Sequence, residues 1–230
     1  MSEIRSLREQ AKAENKKMKD MTWEQKKEHI LEYYKIHIIS AIIAVASIIG
    51  LVLMFMNNNY NTVCKIVMID GYITGIDTKS DPITKGFSEY IGADGKKDRV
   101  IIDNNFSLGT AADDRDSYYS VEKLTYMAAS GEIDGFMTEY EYILSFSNDT
   151  EMFLADLSTV FTPQELSKIS DSIIYYTKAD GTKIPAAVDL SKTWMKTDTD
   201  LYYTRPCYGI VVTASNFDNA AAFIRYAFGL

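Results

Sequence analysis

The hydrophobic pattern is dominated by one unbroken apolar run, IHIISAIIAVASIIGLVLMFM at residues 36–56, with no charged side chain. Its 21 residues extend about 31 Å as a helix, the hydrocarbon thickness of a bilayer. A soluble helix of this length keeps a polar face, and this run has none. Ala44-Val45-Ala46 resembles a signal-peptidase site, but the run continues well past Ala46, and a long segment rich in both charges precedes it. The expectation is an uncleaved transmembrane helix over residues 36–56. Residues 1–35 then form a polar arm, in which Thr22 and Gln25 have the spacing of a capping box.

Residues 57–62 (NNNYNT) read as a linker, and residues 63–230 as one domain. About 168 residues suffice to bury roughly 70% of the unfolded surface. Strand-like and helix-like patterns alternate along it. VCKIVMID is a β-rich apolar run. Asp81-Pro82 opens a helix through Phe87 to Ile91. DRVIIDNN reads as a second strand. Val121, Leu124, Met127 and Ala128 form a helical stripe that ends near Gly131. DGFMTE is a third strand. This β-α-β-α-β order predicts a mostly parallel sheet flanked by helices, an α/β fold. Thr162-Pro163-Gln164-Glu165 is a strong helix start. Residues 172–177 and 182–190 flank Asp180-Gly181, the signature of a two-residue β-hairpin insertion. CYGIVVT is a last strand. Ser215 and Asp218 are placed to cap a final helix with the stripe Phe217, Ala221, Ile224 and Phe228.

Charge sets the expected orientation. Residues 1–35 carry nine Lys and Arg against seven Asp and Glu, whereas the first twenty residues after Met56 carry only Lys65. The basic side is expected to stay in the cytoplasm, leaving the C-terminal domain outside the cell membrane. That remainder carries fifteen basic and twenty-five acidic residues, within a net charge of −8 for the whole chain. A domain at −10 is a poor match for nucleic acid, whose phosphates need clustered Lys and Arg. Both cysteines, Cys64 and Cys207, fall on the outer side. Each opens an apolar strand-like run, so a disulfide between them and a pair of buried thiols are both open readings.

The two histidines, His29 and His37, lie at or before the apolar run, so the outer domain has none. This removes Ser-His-Asp and Cys-His catalysis, His-ligated zinc and an imidazole base. No glycine-rich phosphate loop or nucleophile elbow is present. Asp113-Asp114-Arg115-Asp116 lacks the alternation of a calcium loop and reads as a helix start. No cofactor or metal is expected, and the chain reads as a non-enzyme. In an open parallel sheet, ligands sit beyond the carboxyl ends of the strands. Those ends supply Asp70 and Tyr72, Asn104 and Asn105, and Thr138 and Glu139 as candidate ligand-binding residues.

VEKLTYMAASGEIDGFMTE resembles the helix-then-strand signature of type-2 periplasmic-binding-protein-like domains, in which a G-x-hydrophobic-D turn feeds the third strand. CYGIVVT, followed by a helix, resembles the strand by which such chains return to their first lobe. Small membrane-anchored proteins of Gram-positive, clostridia-like bacteria share this lysine-rich arm, single anchor and reduced solute-binding-like domain. The resemblance implies a tethered, non-enzymatic binder of a small solute or surface ligand. Its alternative is an assembly protein whose cleft is vestigial and whose partner is another membrane protein. A second lobe would be confined to roughly residues 140–205, and no lipoprotein cysteine is present.

Overall fold

The computed structural model describes residues 16, 21–33, 35–71, 82–107, 115–147, 152–199, 201 and 204–230, which divide into two units at Asn59/Tyr60. The first unit contains α1 (Trp23–Tyr33) and α2 (Lys35–Asn58). Thr22 and Gln25 form the expected reciprocal cap: the Thr22 amide donates to Gln25 Oε1 at 3.1 Å and the Gln25 amide donates to Thr22 Oγ1 at 3.5 Å. Helix α2 contains an apolar stretch, Lys35–Met56, long enough to cross a membrane, and none of that stretch is buried in protein. Its apolar surface is uniform around the axis, as lipid would require.

The second unit is a six-stranded mixed sheet covered on both faces by helices. In chain order it comprises β1 (Asn61–Ile69), α3 (Pro82–Tyr90), β2 (Asp98–Phe106), α4 (Arg115–Ala129), β3 (Gly135–Glu139), α5 (Pro163–Lys168), β4 (Ile173–Thr177), β5 (Lys183–Asp189), α6 (Trp194–Thr197), β6 (Pro206–Ile210) and α7 (Phe217–Phe228). The strand order is β2-β1-β3-β6-β5-β4. Strand β1 pairs in parallel with β2 and β3; the β3–β6, β6–β5 and β5–β4 pairs are antiparallel. The expected mostly parallel sheet is therefore half the truth. Strand direction is set by connections, and the local apolar pattern of CYGIVVT does not encode it.

Alternation along β1 divides the core. Cys64, Ile66 and Met68 join Ile83 and Phe87 of α3 and Phe223 and Ile224 of α7 on one face. Val67 and Ile69 join Leu124, Met127 and Ala128 of α4 on the other. The chain passes outward from β1 to β2, then back across β1 to β3. Right-handed crossovers put their helices on opposite faces for such a path.

Local chemistry explains most element ends. Thr162 and Glu165 make a complete capping box around Pro163 at the start of α5. The hairpin differs from expectation. Its loop is Ala179-Asp180-Gly181: the Gly181 amide donates to the Lys178 carbonyl, the Lys178 amide donates to the Thr182 carbonyl, and Gly181 sits at φ 86. A type I turn followed by a left-handed glycine makes a three-residue loop. Ser215 does not cap α7, because its hydroxyl donates to the Gly131 carbonyl at 2.7 Å. Residue Asp134 anchors that helix instead. Its carboxylate, in a residue 1% exposed, accepts from the Asn216 amide at 2.7 Å, Asn216 Nδ2 at 3.1 Å and the Lys65 amide at 2.8 Å. One side chain thus ties β1, the entry to β3 and α7 together. The G-x-hydrophobic-D turn has this structural use here.

Cys64 and Cys207 are both free and buried. They belong to the cores on opposite faces, and β3 lies between their strands. The bridge considered from sequence is not formed, since sulfurs separated by a sheet cannot meet disulfide geometry.

Candidate functional site

The carboxyl ends of β1, β2 and β3 meet the amino end of β6 and the carboxyl end of β5 along one margin of the sheet, as the strand directions require. At that margin the chain's own groups are tied to one another. Asp70 ends β1 at φ 50, a left-handed conformation that aspartate tolerates better than most residues. Its amide donates to the Phe106 carbonyl at 2.9 Å, and its Oδ1 accepts from the Ser107 hydroxyl. Glu139 accepts from the Thr204 amide at 2.5 Å and the Arg205 amide at 2.9 Å, fixing the turn into β6. Arg205 donates through Nε to Asp189 Oδ2 at 2.6 Å and stacks 3.6 Å over the Tyr140 ring. Burial works against the Asp189 charge, but hydrogen bonds from Ser191 and Arg205 hold its carboxyl below the usual range.

Glu139, Tyr140, Asp189 and Arg205 therefore form a closed polar lock. Asp189 and Arg205 were not among the sequence candidates, whereas Tyr140 follows Glu139 at the predicted end of the third strand. They become neighbours only because β6 enters antiparallel beside β3, which delivers the residue before β6 to the end of β3. Thr138, 1% exposed and paired opposite Cys207 within the sheet, faces the interior. Tyr72 lies outside the described residues, as do Asp81 and the Asp113-Asp114 pair.

Asn104 and Asn105 are placed elsewhere, beside the edge of the sheet. Between Val67 and Ile69 of β1 the partner strand advances from Asp103 to Phe106, a bulge that displaces the two asparagines. The Asn105 amide and Nδ2 both donate to Asp103 Oδ1, at 3.2 and 2.9 Å. On one side they line a groove of about 500 Å³ that runs the length of β2 from Arg99 to Asn105, facing Thr84, Lys85 and Ser88 of α3. Tyr60 closes one end, with the Arg99 guanidinium 4.2 Å from its ring centre. On the other side they line a cavity of about 430 Å³ with Ser107, Tyr119 and Lys123. No strand pairs with the outer edge of β2 among the described residues.

These surfaces present hydrogen-bonding, cationic and aromatic side chains. Burial pushes both cysteine thiols far above their ordinary range, so neither supplies a thiolate nucleophile. Among the described residues no group of three or more His, Cys, Asp and Glu is placed to hold a metal. No protein-family model matches this chain, and no curated protein or solved structure shows significant similarity to it.

Proposed function

We propose that the chain is a single-pass membrane protein, with residues 1–35 cytoplasmic, whose outer domain recognises a protein partner along the open edge of β2. One contrast carries the reading. The described strand ends expected to cradle a solute are engaged by the chain's own groups, whereas β2 offers a groove-lined edge with which no described strand pairs. Such an edge invites an added strand, with main-chain hydrogen bonds supplying affinity and flanking side chains selecting the partner. The asymmetric distribution of Lys and Arg around residues 36–56 supports the orientation. Two parallel neighbours around β1 and an antiparallel return strand beside β3 support kinship with a reduced lobe of the type-2 periplasmic-binding-protein-like family.

The small-solute reading keeps one foothold in the cavity at Asn104, Asn105 and Lys123. Two measurements separate the readings. A photo-reactive residue at position 101 of the full chain in its membrane is expected to give protein adducts, and one at Tyr140 none. Amino acids, sugars and ions are expected to leave the melting temperature unchanged. A solute that stabilises the chain by about 2.7 kcal/mol at a hundred times its Kd, with no adduct from position 101, would overturn the proposal.

A further inference from the structure

Edge strand β2 is complementary to itself in one antiparallel register. Its burial alternates from Val100 to Asp103: Val100 and Ile102 are buried in the core beneath α3, so Arg99, Ile101 and Asp103 share the other face, each half-buried. Arg99 and Asp103 stand two positions to either side of Ile101. A two-fold axis through Ile101 therefore sets Arg99 opposite Asp103 of a second copy, and Asp103 opposite that copy's Arg99. On the reverse face Val100 meets Ile102, twice. Shifting the register by two residues one way sets Arg99 opposite Asn105; the other way sets Arg99 opposite Ile101 and carries Asp103 past the start of the strand, to Lys97. Shifting it by four sets Arg99 against Arg99 or Asp103 against Asp103. Charges on an edge normally discourage pairing; arranged symmetrically with opposite sign, they favour the Ile101-centred register, the one that complements both charges within the strand's own residues.

We infer that the occupant of the β2 edge is a second copy of this chain, joined through antiparallel β2–β2 pairing about Ile101 into a continuous twelve-stranded sheet. This rests on the preceding reading of β2 as a recognition edge. A groove of about 500 Å³ lies along the same strand beside α3. Asp103 uses Oδ1 to hold Asn105, and a carboxylate with two oxygens retains capacity for a guanidinium. Anchoring in one bilayer raises the effective concentration of each copy for the other, which suits an interface of modest area.

Cysteine cross-linking of the full chain in its membrane tests the register. Residues directly opposite in such a pair place Cβ atoms about 4.5–5.5 Å apart, compatible with a disulfide. Ile101→Cys is expected to give a disulfide-linked dimer under mild oxidation, and the exposed control Val212→Cys is not. In the Ile101→Cys background, Arg99→Asp or Asp103→Arg alone should lower the dimer yield about tenfold, and the double exchange R99D/D103R should restore it. Unchanged melting temperatures establish that each variant is folded. A folded Ile101→Cys chain that cross-links no better than Val212→Cys, or a double exchange no better than its singles, overturns the inference. Adducts from position 101 to a different protein also overturn self-pairing, yet leave the recognition edge standing.

Discussion

Asp134 shows what a single residue does in this fold. Its carboxylate is buried and accepts three hydrogen bonds from groups 69 and 82 positions away in sequence. Removing it strands the Lys65 and Asn216 donors without acceptors, and each stranded donor carries a desolvation cost. Asp134→Ala should destabilise the domain by about 3 kcal/mol, read from denaturant unfolding. A loss under about 1 kcal/mol would show that the latch is dispensable. Gly135, next in the chain, is required by close approach, because a Cβ there would overlap the buried Tyr208 ring. The motif containing both residues was visible in the sequence, but its role was not. A buried acid at a turn looks the same on paper whether it faces a ligand or a helix end.

Among the elements, α5 carries the clearest pH dependence. The Arg225 side chain and the Thr162 amide and hydroxyl hold Glu165 down to about 2. Arg225 Nε lies 2.8 Å from Glu165 Oε1, tying α7 to α5. A carboxyl with a lowered folded-state pKa adds stability above its unfolded value near 4.5, and that stability is lost as pH falls toward 2. Glu165→Ala should therefore melt below the parent chain at pH 7, with the gap closing as pH approaches 2. A gap independent of pH would assign the effect to packing. This capping box was legible because its partners lie three residues apart. The start of α7 was misread for the opposite reason: Ser215 and Asp218 have capping spacing, but Gly131 claims the Ser215 hydroxyl from far along the chain. The hairpin was legible in place, and its loop length was not, since Asp-Gly serves two- and three-residue turns alike.

At the scale of the molecule, the first half of the sheet could be read from alternating elements, because β-α-β units restrict direction and handedness together. The second half could not. Strands β4, β5 and β6 have apolar patterns compatible with either direction, and only their connections reverse them. That reversal brings Arg205 beside Glu139 at the end of β3, while Cys64 and Cys207 are kept apart by the strand order and by facing opposite cores. Strand β2 stands at the end of the sheet among the described residues, because β1 lies between it and β3. The proposed site accordingly lies at the strand edge and not at the strand ends, with Asn104 and Asn105 as the two sequence candidates beside it. The central claim is that this edge is covered when the chain stands in its membrane. Amide hydrogen exchange over residues 98–106 tests it directly, comparing the full chain in its membrane with the same chain dispersed singly in micelles. The account predicts slower exchange for β2 in the membrane and unchanged exchange for α7. Equal exchange of β2 in the two settings would contradict it.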